Sequence, residues 1–402
     1  MDNATDWKEA VTAHISFNSS PECNFTKEFQ PHKDPSICTT FKMTIDIFVV
    51  FFLCVIGITE NALCIVVLGR DKTMRRTTTF LLQMVAIADA LYLSTCLLIQ
   101  TVNTITICTD WISILNQHWL LIEPFVWPFA SIAQTCTVWL VLVLTADRYI
   151  AICKPLHSTY YSTKSRVRKI VWFVCFMSVL YNVPRFFERY LELKIDPCTN
   201  ETYYDVSRTA LRTDTYYIVI YKTCSYFLMR YLLPLSLMAF FNTKLIQAIQ
   251  QSSKLIKNGS YSRNNKKRWE RRQHNIILIV IVIAFVLCGL PDFFLRVFLS
   301  VCEYCNITPT THQALYLKMR TVNVVSNLCL TINSCINFII YCLLGKKFRQ
   351  ILLCMFCGRR KKNTVRRSRL DLKPVHKETG IHCDPTSYSL ISHCASPEEL
   401  YA

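Results

Sequence analysis

Glycine is scarce in this chain: 7 residues in 402, where average usage near 7% would give about 28. Phosphate-cradling loops, dinucleotide-binding turns and tight hairpins all use glycine. The scarcity argues against a nucleotide-binding enzyme and against an all-β sandwich. Charge is thin too, at 18% of residues, against about 25% in soluble domains. Catalytic patterns are missing: there is no Gly-x-Ser-x-Gly and no His-x-x-x-His, and most of the 9 histidines fall in loops, termini or the ends of apolar runs. Neither a nucleophile with its base nor a metal cluster is in sight, so no catalytic residue and no resident cofactor is assigned. Aromatic residues, by contrast, make up 12% of the chain, which excludes wholesale disorder.

What the chain does have is seven apolar runs, each long enough for the roughly 20 residues a bilayer crossing needs. They are Met43–Leu68, Thr78–Ile105, Ile122–Ile152, Lys169–Phe187, Tyr216–Ile249, Asn275–Ser300 and Gln313–Leu344. The runs are continuous, whereas barrel strands alternate over about ten residues. The expected fold is therefore an all-α membrane protein with a seven-helix bundle over 43–344. Residues 1–42 form a polar N-terminal segment without the basic-then-apolar start of a cleaved signal peptide, so the first span is expected to insert by itself. The stretch GKKFRQILLCMFC at 345–357 reads as a short amphipathic helix on the membrane surface. Residues 358–402 read as a disordered tail.

Charge sets the orientation. The segments Arg70–Thr77, Lys154–Lys169, Gln251–Arg272 and Gly345–Ala402 carry +3, +5, +7 and +7, while the opposite side is mildly acidic. Basic loops stay in the cytoplasm, which puts the N-terminus outside, at the plasma membrane. The sequons at Asn3, Asn18, Asn24, Asn200 and Asn306 all fall on that outer side, as glycosylation acceptors must. A net +18 taken alone suggests nucleic acid. Its concentration in short loops beside the membrane instead suits lipid headgroups and an acidic cytoplasmic partner.

Of the 21 cysteines, six lie outside (Cys23, Cys38, Cys108, Cys198, Cys302 and Cys305), ten within spans and five inside. Six oxidisable thiols allow 15 pairings. Cys302-x-x-Cys305 has no second pair to complete a zinc site, though the two could close a small loop. Cys354 and Cys357, on the basic amphipathic stretch, are candidates for S-acylation.

Polar residues inside spans are costly and tend to face a cavity or a partner. Here they are Asn61 and Asp89 in the first two spans, Asp147-Arg148-Tyr149 at the inner end of the third, and Asn333, Asn337 and Tyr341 in the seventh. Pro234 and Pro291 interrupt the fifth and sixth. At these positions, in the stretches GITENALCIVV, LLQMVAIADALYL, TADRYIAICKP, RYLLPLSLMAFFN, AFVLCGLPDFF and NSCINFIIYCLLGKKFR, the chain resembles the rhodopsin-like G-protein-coupled receptors. PFASIAQTCTVW, SVLYNVPRFFE and TINSCINFIIY are similar, more narrowly, to invertebrate FMRFamide-type neuropeptide receptors.

The resemblance implies a set of roles. Asp147, Arg148, Tyr149, Asn337 and Tyr341 would serve coupling to a heterotrimeric G protein, Arg148 being released from Asp147 as the sixth helix swings outward. Asp89, Thr137, Asn333 and Asn337 offer the oxygen-rich set that suits a hard cation, and similar receptors hold sodium there. Val138, Pro234 and Phe285 match a packing switch, with Pro291 as the hinge that a lost backbone hydrogen bond creates. An arrestin and a receptor kinase would act on the tail, at Thr386, Ser387, Ser389, Ser392 and Ser396.

The chain also departs from the family's pattern. Gly289 stands where a tryptophan is usual, Phe338 where a proline follows Asn337, and Asn242 where a tyrosine is usual. Glu123 replaces the cysteine that opens the third span and bonds the second outer loop. Cys198 then needs another partner, and the resemblance leaves Cys108 as the candidate. An opsin would need a Schiff-base lysine where Thr331 stands, and an amine receptor an aspartate at Ala130.

An amidated peptide with a C-terminal Arg-Phe fits the long outer segments better. Glu123, Glu188 and Asp292 are candidates for its arginine, and Trp127, Gln134, Phe187 and Phe293 for its ring and amide. Arg230, Arg296 and Arg320 share the pocket, so the acids could equally neutralise these. A receptor for a non-peptide ligand is the alternative. A secondary transporter would show repeated halves and broken helices, and no internal repeat is visible.

Overall fold

Each apolar run becomes one helix, because a backbone in lipid must satisfy its own hydrogen bonds. The computed structural model describes residues 38–357, apart from 71–75, 110–112, 155, 158–159, 161–162, 196–201, 258–263 and 305–312. The seven spans are α1 (Thr40–Arg70), α2 (Thr77–Cys108), α3 (His118–Cys153), α4 (Lys164–Phe187), α5 (Tyr217–Ala248), α6 (Ile279–Cys302) and α7 (Lys318–Leu344). α3 is the axis of the bundle, with 56% of its most apolar window buried, whereas α4 buries 22%. α4 turns Trp172, Phe173 and Phe176 outward at 63–73% exposure. A soluble protein does not leave such a surface in water, but lipid covers it. The chain is a multi-pass membrane protein.

The core runs through α2, α3, α5, α6 and α7: Leu81, Leu140, Leu144, Met238, Val282 and Ile340 belong to one buried cluster. Close helix approach requires Gly57 of α1, where an added Cβ would lie 2.4 Å from Cys335 Sγ and 2.8 Å from Leu93 Cδ1. π-helical turns interrupt the outer halves at Thr44–Val50, Leu97–Val102, Tyr217–Ser225 and Leu228–Leu232. The last ends two residues before Pro234. Proline cannot bond to the carbonyl one turn back, and a widened turn accommodates that.

The fourth and fifth spans are joined by an antiparallel hairpin, β1 (Arg189–Ile195) and β2 (Thr202–Arg208), with Arg189 opposite Arg208 and Glu192 opposite Asp205. Lys194 pairs with Asp205 across it. This hairpin adds a small sheet to an otherwise helical fold, and RYLELKI carries its alternation in the sequence.

One expectation is overturned. Cys108 is bonded to Cys38, 70 residues earlier and 5.5 Å away between Cα atoms, so it cannot hold Cys198, which lies outside the described residues. The outer ends of α1 and α2 are already drawn together here. Asp46 accepts from Thr104 at 2.9 Å and from Lys42 at 3.1 Å, and Thr101 donates to the Asp46 carbonyl at 2.7 Å.

At the inner end, α8 (Lys346–Cys357) turns off α7 at Gly345, where any Cβ would meet the Tyr341 carbonyl at 2.6 Å. Arg349 caps the end of α7 by donating to the carbonyls of Cys342 and Leu343 at 2.7 and 2.6 Å. This is the favourable place for a cation on a helix. Phe348 packs on Phe338 and Tyr341. With Phe338 in place of a proline the amide is kept, and α7 runs as continuous helix through Asn337.

Candidate functional site

Three polar layers are stacked inside the bundle. At the inner end Arg148 donates to Asp147 Oδ2 at 2.7 Å, and the Thr78 hydroxyl of α2 donates to the same oxygen at 3.2 Å. Both charged residues are buried, at 6% and 8% exposure. Arginine cannot shed its charge, and a carboxylate beside it offsets much of the cost of burial. The Tyr149 ring lies 5.2 Å from that of Phe241 and 6.4 Å from that of Phe240, which registers α3 against α5. Tyr341 is buried against Phe348. Thr78 carries no special signal in the sequence beyond its place in a run of threonines.

The middle layer centres on Asp89 of α2, which is wholly buried. Its Oδ1 accepts from Thr137 at 3.2 Å and Ser334 at 3.1 Å, and its Oδ2 from the Asn337 amide at 2.8 Å. Asn333 is half-buried and is not among these donors. Ser334, outside the sequence-based set, supplies the remaining bond. Asn61 donates to the carbonyls of Gly57 and Ser334 at 2.8 and 3.0 Å, holding α1 to α7 beside the site. One residue further in, Val138 is buried at 2% exposure, and Phe285 packs at the margin of the main core. Pro291 lies inside the long helix that contains α6.

The outer layer lies between α3, α5, α6 and α7. Asp292, wholly buried, accepts from Tyr231 at 2.6 Å, Tyr226 at 3.2 Å and Ser326 at 3.4 Å, and pairs with Arg296 at 3.0 Å. Arg230, buried at 8% exposure, donates to Gln134 and lies over the Tyr226 ring at 5.2 Å. Phe293 packs between Phe227 and Tyr231 at centroid distances of 5.2 and 5.1 Å. Tyr231 also lies 3.8 Å from where a Gly289 Cβ would be, so its ring occupies space that the missing side chain leaves.

Nearer the mouth, Glu123 accepts from Trp127 at 2.9 Å and pairs with Arg189 of β1. Glu188 accepts from Tyr217 at 2.9 Å and faces Arg212 at 3.5 Å. Each of the three acids thus has an arginine of its own chain beside it. Tyr226, Tyr231, Ser326 and Arg189 were not singled out by the sequence, although the two tyrosines flank Arg230 on one helix.

Comparison with known proteins decides the family. Residues 60–341 match the 7 transmembrane receptor (rhodopsin family). The chain belongs to that family. The receptor is 29% identical to an FMRFamide receptor of Drosophila melanogaster over 81% of its own length and 55% of that protein's. It is 25% identical to an FMRFamide peptide receptor of Caenorhabditis elegans over 76% of its length and 67% of that protein's. It is 28% identical to a sex peptide receptor of D. melanogaster over 77% and 71%. The receptor thus spans little more than half the length of the Drosophila FMRFamide receptor.

Other assigned positions in the receptor are less informative. Phe187 is exposed at 62%, and Cys354 of α8 is half-buried beside Cys357 in sequence. The sequons at Asn3, Asn18, Asn24, Asn200 and Asn306, the tail sites and Cys305 lie outside the described residues.

Proposed function

We propose that this protein is a plasma-membrane receptor, N-terminus outside, for an extracellular amidated neuropeptide of the FMRFamide type. Binding between α3, α5, α6 and α7 drives α6 outward about Pro291 and engages a heterotrimeric G protein at Arg148. The observation that carries the reading is the outer layer itself. Ionised residues, phenols and phenylalanines meet there inside an apolar bundle, in a family whose matched relatives include receptors named for FMRFamide. A peptide with a guanidinium, an aromatic ring and a terminal amide can address all three chemistries.

Asp89, Thr137, Ser334 and Asn337 are proposed to hold a sodium ion when the receptor is at rest. Glycans on the outer sequons, acyl chains on Cys354 and Cys357, and kinase and arrestin action on the tail complete the reading.

A calcium or cAMP assay in transfected cells against a panel of amidated neuropeptides tests it. Response to a peptide ending Arg-Phe-amide is expected. Silence to every peptide, with response to a lipid or an amine, overturns the ligand reading and leaves the family assignment untouched. Arg148→Ala is expected to retain surface binding and lose most G-protein activation. Truncation after Leu370 is expected to abolish arrestin recruitment.

A further inference from the structure

Two of the three outer carboxylates are already closed. Asp292 has donors on both oxygens, namely Tyr226 and Tyr231 on Oδ2 and Arg296 and Ser326 on Oδ1. Glu188 has Tyr217 on Oε1 and Arg212 near Oε2. Glu123 differs. Its Oε1 accepts from both Trp127 and Arg189, while its Oε2 is buried without a hydrogen-bond partner. A buried acceptor left in that state is costly, the more so when it carries charge. Glu123 is 9% exposed. Its cover is Arg189, whose side chain is 33% exposed and whose guanidinium lies 5.5 Å from the Trp127 ring centroid.

A carboxylate, an indole face and a removable guanidinium therefore already sit together at the mouth of the bundle. Arg189 is the first residue of β1, so the same ion pair ties the outer hairpin to α3.

We propose that Glu123 and Trp127 are the subsite for the arginine of the peptide, which enters by exchanging with Arg189 and so releases the ion pair between the hairpin and α3. The inference rests on the peptide reading above. Exchange keeps the charges balanced: one guanidinium leaves for water as another arrives, and no buried carboxylate is stranded. The Trp127 ring accepts either cation on its face. Reach is consistent. Gln134 lies eleven residues deeper on α3, about 16 Å along the axis. Two extended residues span about 7 Å, and an arginine side chain supplies most of the remainder. A peptide with its arginine on Glu123 therefore brings its terminal amide toward Gln134.

The probes are Phe-Met-Arg-Phe-NH2 and its citrulline analogue, which has nearly the same shape without the charge, applied to the full-length receptor in cells. Wild type is expected to prefer the arginine peptide at least about tenfold, as charge-assisted bonding requires. Glu123→Gln is expected to bring the two peptides to near-equal potency. Arg189→Gln, which vacates the subsite, is expected to raise the potency of the arginine peptide. The charge swap Glu123→Arg with Arg189→Glu keeps the hairpin tie and is expected to lose the preference.

A Glu123→Gln receptor that discriminates as wild type does overturns the subsite. If that variant fails to reach the surface, the swap reads the same question, because a merely structural pair would restore wild-type discrimination. A wild type that responds to both peptides alike overturns this inference alone. A wild type silent to every arginine-containing amidated peptide overturns the peptide reading beneath it.

Discussion

Asp89 in α2 and Asp292 in α6 are both wholly buried, yet their surroundings differ in one decisive respect. Asp292 has a cation of its own chain beside it, Arg296 at 3.0 Å. Asp89 has only neutral donors, the two hydroxyls and one amide of Thr137, Ser334 and Asn337. An ionised carboxylate deep in an apolar bundle is expensive unless its charge is answered. The Asp292 site answers it internally, and so behaves as a tie between α5, α6 and α7. The Asp89 site satisfies the hydrogen bonds and leaves the charge for something outside the protein to balance. The comparison separates a carboxylate that holds helices together from one whose charge no described residue of the chain answers, which is why an ion is proposed there.

The largest effect is expected at the internally paired site. Asp292→Ala removes the acceptor of two phenols and leaves Arg296 beside the buried Arg230. The Arg296 side chain is 38% exposed and can turn to water, so the cost falls mainly on the buried donors left without their acceptor, about 1–3 kcal/mol. Surface expression should collapse, and the thermal midpoint of receptor in detergent should fall. An unchanged midpoint would show that Asp292 is no tie at all.

Removing both charges sharpens the point. Asp292→Asn combined with Arg296→Gln should be more stable than the sum of the single variants, by a coupling of about 1–3 kcal/mol. Strict additivity would mean that the two charges do not answer one another.

A smaller change in stability and a larger one in regulation are expected at Asp89. Asp89→Asn keeps a hydrogen-bonding group among the three neutral donors, so its thermal midpoint should move by no more than about 1 kcal/mol equivalent. Agonist affinity measured in sodium against a matched choline buffer should lose any sodium dependence. Wild-type affinity indifferent to sodium would leave a water-filled network in place of an ion.

Much of this contrast was legible before the structure. The seven spans agree with the apolar runs to within a few residues at most ends, because bilayer thickness fixes length and composition fixes position. Two whole helices run on well beyond their apolar runs: the one containing α6 from Asn264, eleven residues before its run, and the one containing α3 at its outer end. The latter starts at Ser113, nine residues before the apolar run, and its polar first turns are anchored where the Trp119 indole donates to Asn103 at 2.8 Å. Asp89, Asn337 and Arg148 announced themselves as polar residues in apolar runs.

The partners did not. Tyr226, Tyr231 and Ser326 are ordinary in composition, and only the packing of three helices aims them at Asp292. The Cys38–Cys108 bond was hidden for a similar reason. Cysteine spacing says nothing of which loop ends meet, and the Lys42–Asp46–Thr104 contacts that bring them together cross two helices. Arg189 lay in a loop whose hairpin geometry is needed to carry it back to Glu123.

The finest distinction concerns adjacent residues. Asn333 and Ser334 stand four and three positions before Asn337, and both spacings share a helix face, so the sequence cannot choose between them. The structure gives the Asp89 carboxylate the Ser334 hydroxyl, at 3.1 Å. Ser334→Ala deletes that hydroxyl alone, because the Ser334 carbonyl still accepts from Asn61 at 3.0 Å and α1 stays docked. Loss of one buried donor should cost about 1 kcal/mol and raise the sodium concentration needed for half-effect. Asn333→Ala, which removes no bond to the carboxylate, should move both readouts less. Thermal unfolding and a sodium titration of agonist affinity on the two variants side by side measure the difference. The reverse order would return Asn333 to the cation site and make Ser334 a spacer in α7.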